Sequence, residues 1–289
     1  MIKKGIILAG GMGTRMSPLT KAVNKQLLPL YDKPLIFYPL SILMLAGIKH
    51  VLIIVNKGQL NQFRKILPEK NNIGLKIEYK EQLKPAGLPQ AFTIGEKFIG
   101  RDNVALILGD NFFYGQSLTK ILKKNASFKK GAKIFVYPVK NAQQYGVATL
   151  NKNKKILKLD EKPKKPKSNL AVTGLYFFDN NVVSFSKNLK PSSRGELEII
   201  DLLKIYLKRK KLSAEFIGRG GAWLDTGNVK DYYDACNFVS AIENRQGLKI
   251  ACLEEISLKN KWINSNNILD AISFYGNCEY SKYLKSLIN

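Results

Sequence analysis

A group of residues that could bind phosphate lies near the start of the chain. A short apolar stretch, residues 5–9, leads into Gly10, Gly11, Met12, Gly13, Thr14 and Arg15. Because glycine lets the main chain adopt unusual angles and approach a ligand closely, the N–H groups of this turn can face an anion. Arg15 adds a guanidinium that matches phosphate geometry. The turn therefore predicts a polyphosphate site in an enzyme that acts on a nucleotide.

Two familiar nucleotide motifs do not fit this turn. Met16 stands where the dinucleotide-binding pattern needs its third glycine, and no Gly-Lys-Ser/Thr follows to complete a P-loop. A nicotinamide-dependent dehydrogenase is disfavoured for that reason, and because no acidic residue near position 30 ends a second predicted strand. On these residues alone, a simple structural turn stays open as an alternative.

The charge of the chain suggests a partner of another class. Its 289 residues include 47 Lys and Arg against 22 Asp and Glu, a formal net charge of +25, which keeps a nucleic-acid-binding protein as an alternative. The lysines are scattered, however, and no zinc-finger, helix-turn-helix or ribonucleoprotein pattern is evident. We therefore expect no nucleic acid partner, and a basic surface that attracts anionic substrates. The widely spaced Cys236, Cys252 and Cys278 predict neither a disulfide framework nor a zinc site.

The hydrophobic pattern predicts no membrane partner. The longest apolar stretches, such as residues 36–46 and 51–55, are too short or too interrupted to cross a bilayer. A strand pattern already begins at residue 2, which leaves no room for a signal peptide. We therefore expect a cytoplasmic protein.

Strand and helix patterns alternate over the first 140 residues. Strand-like runs lie at residues 5–9, 51–55, 75–79, 104–108 and 133–139, and helix-like patterns lie between them at 36–46, 59–67, 89–98 and 117–125. This alternation predicts an α/β fold with a mainly parallel, twisted sheet flanked by helices. In such a sheet ligands bind at the carboxyl ends of the strands, where residues 10–15 and 109–111 would both lie.

The remainder of the chain has a different pattern. Runs at residues 146–150 and 155–159 predict a small β insert, and further strands are expected at 172–178 and 214–217, with a helix at 196–209 between them. From residue 230 onward the pattern is largely helical. With no long linker and no repeat, we expect residues 1–289 to form a single domain with a helical C-terminal section at about 229–289.

The turn is part of a longer series of motifs. LAGGMGTRMSPLT at residues 8–20 is followed by KQLLP at 25–29, LGDN at 108–111, YGV at 145–147, EKP at 161–163, VTGLY at 172–176, RGELE at 194–198 and WLDTG at 223–227. In this order they resemble the sugar-1-phosphate nucleotidyltransferases, with the fold of that Rossmann-like group, over essentially the full chain. KQLLP is similar to the thymidylyltransferase branch of that family.

The resemblance implies that dTTP and glucose 1-phosphate react to give dTDP-glucose and pyrophosphate, within dTDP-rhamnose biosynthesis. It implies Mg²⁺ as cofactor, held by Asp110 and Asp225, with Arg15 and Lys25 neutralising the triphosphate and Lys162 gripping the sugar phosphate. Carboxylates suit this hard cation. Because a phosphate oxygen is already ionised near neutral pH, the reaction needs no general base. The single histidine, His50, is accordingly expected to be structural or exposed.

The resemblance also implies two sets of binding residues. For the nucleotide, in a half at about residues 1–115, they are Leu8, Gly10, Gly11, Gly13, Thr14, Arg15, Lys25, Gln26, Gln82, Pro85, Gly87 and Asp110. Among these, the resemblance implies that Gln82 and Gly87 read the pyrimidine base and that Leu8 and Pro85 help to pack the nucleoside. For the sugar, in a half at about residues 116–228, they are Asn111, Tyr145, Gly146, Glu161, Lys162, Val172, Tyr176 and Glu196. Relatives are homotetramers, so we expect the same assembly.

Some departures from the family pattern leave choices open. Ala86 and Pro89 replace residues usual beside the base pocket, so uridylyl transfer or another sugar-1-phosphate nucleotidyl transfer stays an alternative. Asn24 replaces a small residue before Lys25, and Gly221 replaces an aromatic residue in a region linked to end-product inhibition. None of these changes removes a charged catalytic group.

Overall fold

A computed structural model describes residues 1–289. The strands are β1 (Lys4–Ala9), β2 (Pro29–Leu30), β3 (Lys33–Pro34), β4 (His50–Asn56), β5 (Lys76–Gln82), β6 (Val104–Leu108), β7 (Asn111–Gly115), β8 (Ala132–Pro138), β9 (Gly146–Leu150), β10 (Ile156–Glu161), β11 (Leu170–Phe178), β12 (Leu212–Phe216) and β13 (Gly221–Asp225). The helices are α1 (Phe37–Leu45), α2 (Leu60–Ile66), α3 (Gln90–Ile94), α4 (Glu96–Ile99), α5 (Leu118–Ala126), α6 (Asn181–Lys187), α7 (Ile199–Lys208), α8 (Val229–Gln246), α9 (Leu253–Lys259), α10 (Ser265–Tyr275) and α11 (Glu279–Ser286).

A central nine-stranded sheet runs through both predicted halves. The path β10-β9-β11-β6-β1-β4-β5 is extended by β8, which pairs with β11, and by β12, which pairs with β8. β1 lies parallel to both β4 and β6, and β4 is parallel to β5. The carboxyl ends of β1 and β6 are therefore neighbours, as the sequence predicted for residues 10–15 and 109–111.

The parallel arrangement holds in the first half and not in the second. β11 runs antiparallel to β6, β8 and β9, and β9 and β10 form the expected antiparallel hairpin. β12 is parallel to β8. The sheet is thus mixed, with helices on both faces, and the small β insert extends its edge.

The core lies on both faces of this sheet because alternate side chains of each buried strand point to opposite faces. In β1, Ile7 and Ala9 belong to one apolar cluster, and Ile6 and Leu8 belong to the other. The first cluster includes α1, which is buried over nearly its whole length. No helix in the structure combines the length and hydropathy that crossing a bilayer requires.

Two further elements place residues at the edge of the sheet. β7 and β13, which the sequence did not predict, form a separate antiparallel pair in which Asp225 lies opposite Asn111. β2 and β3 form a short hairpin next to α8. The expected helical section follows as α8 to α11, and Gly247 caps the end of α8 in the left-handed conformation that glycine favours.

Candidate active site

The glycine turn after β1 is shaped by side chains from neighbouring segments. Gly11 and Gly13 have φ of +98° and +59°, values that glycine adopts without strain. Asn56, the last residue of β4, accepts a hydrogen bond from Gly11 N (2.9 Å) and donates one to Gly11 O (2.8 Å). Thr20 Oγ1 donates to Gly13 O (2.8 Å). The turn is therefore fixed in an open conformation at the edge of the sheet.

The segment that carries Lys25 is fixed from its amino-terminal side. Asn24 caps the single 3₁₀ turn Lys25–Leu27 by accepting a hydrogen bond from Gln26 N (2.8 Å). Its amide nitrogen donates to Ala9 O (3.2 Å) and to Gln59 Oε1 (2.5 Å). Asn24, a departure from the family pattern, thus joins this turn to the end of β1.

The pairing of β13 with β7 brings the two predicted metal ligands into one place. Asp225 lies opposite Asn111, the residue next to Asp110. Thr226 holds the two segments together, because its N and Oγ1 both donate to Asp110 O (3.0 and 2.8 Å). Two carboxylates from chain segments more than a hundred residues apart therefore share one site.

The two carboxylates differ in their surroundings. Burial would raise the pKa of Asp110, but the ammonium of Lys25, at 2.7 Å from Oδ2, holds that pKa below its ordinary value. Burial also raises the pKa of Asp225, to about 7, and repulsion by Asp110 adds to the effect. Arg15 and Lys25 favour the ionised form of Asp225, although neither donates it a hydrogen bond. A further cation at this place would favour ionisation of both groups.

A wholly polar cavity of about 230 Å³ lies between the glycine turn and Asp110. Its wall consists of Gly10, Gly11, Gly13, Thr14, Arg15, Lys25, Gln26, Asp110 and Gly227, so seven predicted nucleotide residues besides Asp110 meet there. Gln26 contributes a buried Oε1 that no donor of the chain reaches. Because two cationic side chains, Arg15 and Lys25, stand in its wall, we call this the phosphate cavity.

A second cleft of about 350 Å³ adjoins the phosphate cavity, and Arg15 and Asp110 line both. All eight predicted sugar residues line this second cleft: Asn111, Tyr145, Gly146, Glu161, Lys162, Val172, Tyr176 and Glu196. Asp225 and Trp223 lie in the same wall. We call it the sugar cleft, although contact of these side chains with a sugar stays a prediction.

Known proteins are similar to this chain over nearly its full length. The profile of the family described as "Nucleotidyl transferase" matches residues 4–241. The chain belongs to this family. A glucose-1-phosphate thymidylyltransferase of Neisseria meningitidis is 50% identical over 285 residues, which is 99% of each chain. A Mycobacterium tuberculosis protein of the same name is 45% identical over 285 residues, again 99% of each chain.

Solved structures of nucleotidyltransferases have the same fold. A crystal structure described as UDP-glucose pyrophosphorylase with UDP-glucose aligns with a TM-score of 0.72 and 28% identity, covering 85% of this chain and all of the other. The predicted enzyme class, a nucleotidyltransferase, and the predicted α/β fold are therefore confirmed.

Two site residues of this nucleotidyltransferase were missed, although both lie in the RGELE motif. Arg194 contacts Glu161 (Nη2–Oε1, 3.1 Å) and Glu198 (Nη2–Oε2, 2.9 Å), and Ser192 Oγ also donates to Glu198 (2.7 Å). Glu198 is buried in the sugar cleft, whereas the predicted Glu196 is exposed at its rim. Burial raises the pKa of Glu161 despite the guanidinium. Arg194 therefore orients two carboxylates that can accept hydrogen bonds from hydroxyl groups.

The predicted base-binding residues lie beside the phosphate cavity rather than in its wall. A Cβ on Gly10 would lie 2.4 Å from Gln82 Oε1, so a larger residue at position 10 would displace the end of the Gln82 side chain. Gln82 Nε2 donates to Gln90 Oε1 (2.6 Å), a partner that was not predicted. Leu8 is buried and Pro85 is exposed, and neither lines either space.

Gly87 joins the two halves of the chain. Its φ of +104° and an isolated bridge to Leu197 bring the backbone so close that a Cβ would meet Leu197 O at 2.1 Å. Leu197 N also donates to Ala86 O (2.9 Å). The predicted base-binding loop is therefore fixed to the segment that carries Arg194 and Glu198.

Asn111 has a connecting role that the sequence did not predict. Its Oδ1 accepts hydrogen bonds from Gly174 N (2.9 Å) and Trp223 Nε1 (2.6 Å), and its Nδ2 donates to Asp110 Oδ1 (3.0 Å). The amide thus joins β7, β11 and β13. Most of the hydrogen-bonding capacity of the Asn111 amide serves these three partners. Its contact with a sugar stays a prediction.

Proposed function

We propose that this nucleotidyltransferase transfers a thymidylyl group from dTTP to glucose 1-phosphate and releases pyrophosphate. The full-length relatives that are 45–50% identical and carry the name glucose-1-phosphate thymidylyltransferase support this proposal. The single structural observation that carries it is the contact between the phosphate cavity and the sugar cleft at Arg15 and Asp110. Two anionic substrates bound in these spaces would meet beside two carboxylates and a guanidinium.

The donor set at this meeting point fits Mg²⁺. Asp110 and Asp225 supply two carboxylates and belong to no larger group of metal-ligating side chains, which suits a hard cation that keeps several waters and also binds substrate phosphates. The raised pKa of Asp225 shows that the protein alone disfavours a second negative charge here, and a bound cation would stabilise that charge. When bound, Mg²⁺ would neutralise charge on the phosphates of dTTP.

The cationic side chains of the two spaces would bind different phosphate groups. Arg15 and Lys25, in the wall of the phosphate cavity, would bind the triphosphate and the departing pyrophosphate. Lys162 is exposed in the sugar cleft with a positive φ of 41°, and its N donates to Tyr145 O (3.1 Å). Lys162 would bind the sugar phosphate and direct one oxygen at the α-phosphorus.

Sugar recognition would depend on the two glutamates oriented by Arg194. Glu161 and Glu198 present carboxylate oxygens to the cleft, and these accept hydrogen bonds from hydroxyl groups. No side chain is needed as a general base, because the attacking phosphate oxygen is already ionised at neutral pH.

Uridylyl transfer is the second candidate. The structural likeness to a UDP-glucose pyrophosphorylase at 28% identity favours it, because both pyrimidines offer a similar edge to Gln82. The higher identity to proteins named thymidylyltransferase favours dTTP.

A panel of nucleoside triphosphates against glucose 1-phosphate, scored by pyrophosphate release with Mg²⁺, tests the proposal. We expect dTTP to give the highest kcat/KM and UTP to follow. A second panel at fixed dTTP compares hexose 1-phosphates. An Asp110→Asn, Asp225→Asn double variant is the control for contaminating activity. Turnover with UTP above that with dTTP would favour the second candidate, and no turnover with any pair would refute both.

Three further expectations, on the catalytic unit, the assembly and the cellular setting, belong to the same proposal. We propose that residues 1–289 act as one catalytic unit, which the sheet shared by both halves supports. A homotetramer is proposed, and exposed apolar side chains such as Tyr233, Leu269 and Phe274 give it surfaces to bury. We propose a cytoplasmic enzyme, and the family resemblance supports a place for its reaction in dTDP-rhamnose biosynthesis. Light scattering on a size-exclusion column tests the assembly, and a monomer would contradict it.

A further inference from the structure

Lys25 and Asp110 form an ion pair in the wall of the phosphate cavity. Lys25 Nζ lies 2.7 Å from Asp110 Oδ2, and only 8% of the Lys25 side chain and 23% of the Asp110 side chain are exposed. The other oxygen, Oδ1, accepts a hydrogen bond from Asn111 Nδ2 (3.0 Å). Donors of the chain itself therefore hold both oxygens of this proposed metal ligand.

The lysine cannot leave this carboxylate without finding another anion. A buried ammonium without a partner is strongly disfavoured. Asn24 also fixes the turn that carries Lys25 to the end of β1, and the Lys25 side chain lies in the wall of the phosphate cavity. The wall of that cavity contains the glycine turn and Arg15 as well, which is where the phosphates of a nucleotide would lie.

We propose that Lys25 is an internal counterion for Asp110: it keeps a divalent cation off this carboxylate in the free protein and releases it when nucleotide phosphates take over the ammonium. This inference deepens the proposed function and rests on it for the identity of the phosphates. The same cavity holds the ammonium, the carboxylate and the predicted phosphate site, so a short movement of one side chain is sufficient.

The physical reason is the competition of two cations for one oxygen. A divalent ion bound to Asp110 Oδ2 would replace the ammonium and would lie within a few ångströms of it, where the repulsion between the two charges is large in a partly buried site. A triphosphate reverses this balance, because it provides several negative charges to both cations. The metal should then enter together with the nucleotide.

Binding of Mn²⁺ to the nucleotide-free protein, followed by electron paramagnetic resonance, tests the proposal. The variants are Lys25→Met and Lys25→Gln, with Lys208→Met as a control that removes one charge from an exposed lysine of α7 far along the chain. Lys25→Met combined with Asp110→Asn tests whether the added affinity belongs to this carboxylate. Circular dichroism melts check that each variant is folded.

We expect both neutral Lys25 variants to bind Mn²⁺ at least about tenfold more tightly than wild type and Lys208→Met. The gain should disappear in the double variant with Asp110→Asn. Equal Mn²⁺ affinity in folded Lys25 variants and wild type would overturn the proposal, as would a gain that survives Asp110→Asn. Tight binding by the wild-type protein alone, with a Kd below about 10 µM, would also overturn it.

The result is distinguishable from failure of the proposed function. The metal assay contains no nucleotide and no sugar phosphate, so a protein that prefers UTP, or that turns over neither nucleotide, would still show the same difference between Lys25 and its variants. Conversely, thymidylyl transfer could be established while Mn²⁺ binds wild type and variants equally, which would remove only the counterion role.

Discussion

Replacing Asp225 by asparagine should stabilise the free protein while it removes activity. Burial, with repulsion by Asp110, raises the pKa of Asp225 from the ordinary value of 3.8 for an aspartate to about 7. At pH 8 the fold therefore holds an anion that it disfavours, and a shift of about 3 units corresponds to about 4 kcal/mol. The amide must still be buried, and Arg15 loses a neighbouring charge, so we expect a net gain of about 2 kcal/mol in the free energy of unfolding.

The pH dependence of this gain has a definite sign. Below about pH 4 the carboxyl group is protonated in both the folded and the unfolded chain, so it carries no penalty. As the pH rises from 4 to 7 the unfolded chain releases this proton first, and the stability of the wild-type protein falls. The penalty is complete above pH 7. The gain of Asp225→Asn should therefore be present at pH 8 and vanish towards pH 4.

Thermal unfolding with a chelator present measures this effect. At pH 8 we expect the Tm of Asp225→Asn to rise by about 5 °C, and turnover with Mg²⁺ to fall by about 100-fold or more. Asp110→Asn is the matched variant: it should lose activity equally but lower the free energy of unfolding by about 3 kcal/mol, because Lys25 keeps a buried charge without its partner. A Tm of Asp225→Asn at or below that of wild type at pH 8 would refute this reasoning.

Three other substitutions test separate parts of the site. Lys162→Ala should weaken glucose 1-phosphate binding by about tenfold in calorimetry with little effect on dTTP binding, and equal losses for both would contradict its role. Asn56→Ala frees the main-chain groups of Gly11 and should raise the KM for dTTP by about tenfold at an unchanged Tm; an unchanged KM would exclude a positioning role. Arg194→Met removes the cation between Glu161 and Glu198 and should raise the KM for glucose 1-phosphate more than that for dTTP, whereas a change in Tm alone would indicate a purely structural role.

The strands of the first half could be predicted because parallel strands covered on both faces need continuous apolar runs. Val104–Leu108 was predicted with its observed bounds, and β1 and β4 within one residue at each end. A continuous apolar run is expected for a buried strand of either direction. Nothing in residues 172–178 therefore showed that β11 is antiparallel to β6. The direction of a strand depends on the connection that precedes it, which tertiary packing decides.

The pair β7 and β13 was missed for a different reason. Each strand is five residues long, and neither Asn111–Gly115 nor Gly221–Asp225 shows a clear alternation of apolar and polar residues. They form a strand pair only with each other, across more than a hundred residues of chain. Asp225 could therefore be placed beside Asp110 only through the family resemblance.

The site itself was predictable where one local segment carries the chemistry. Three glycines and Arg15 in six residues favour an anion site, and the motifs that follow along the chain strengthen this prediction over a simple structural turn. Asn24 and Asn56 were not assigned to the site, and Arg194 was noted only as part of the RGELE motif, because each acts by reaching a residue distant in sequence. Residues that position others are therefore harder to predict than residues that bind.

The position of the site follows from a break in the sheet. β11 pairs with β6 from Leu175 onward and with β9 at Ala171, and between these points Gly174 N finds its acceptor in Asn111 Oδ1 instead of a strand. A Cβ at Gly174 would lie 2.5 Å from that oxygen, so only glycine allows the contact. The same amide donates to Asp110 Oδ1. The side chain that closes the break thus also orients the proposed metal ligand, at the point where the phosphate cavity and the sugar cleft adjoin.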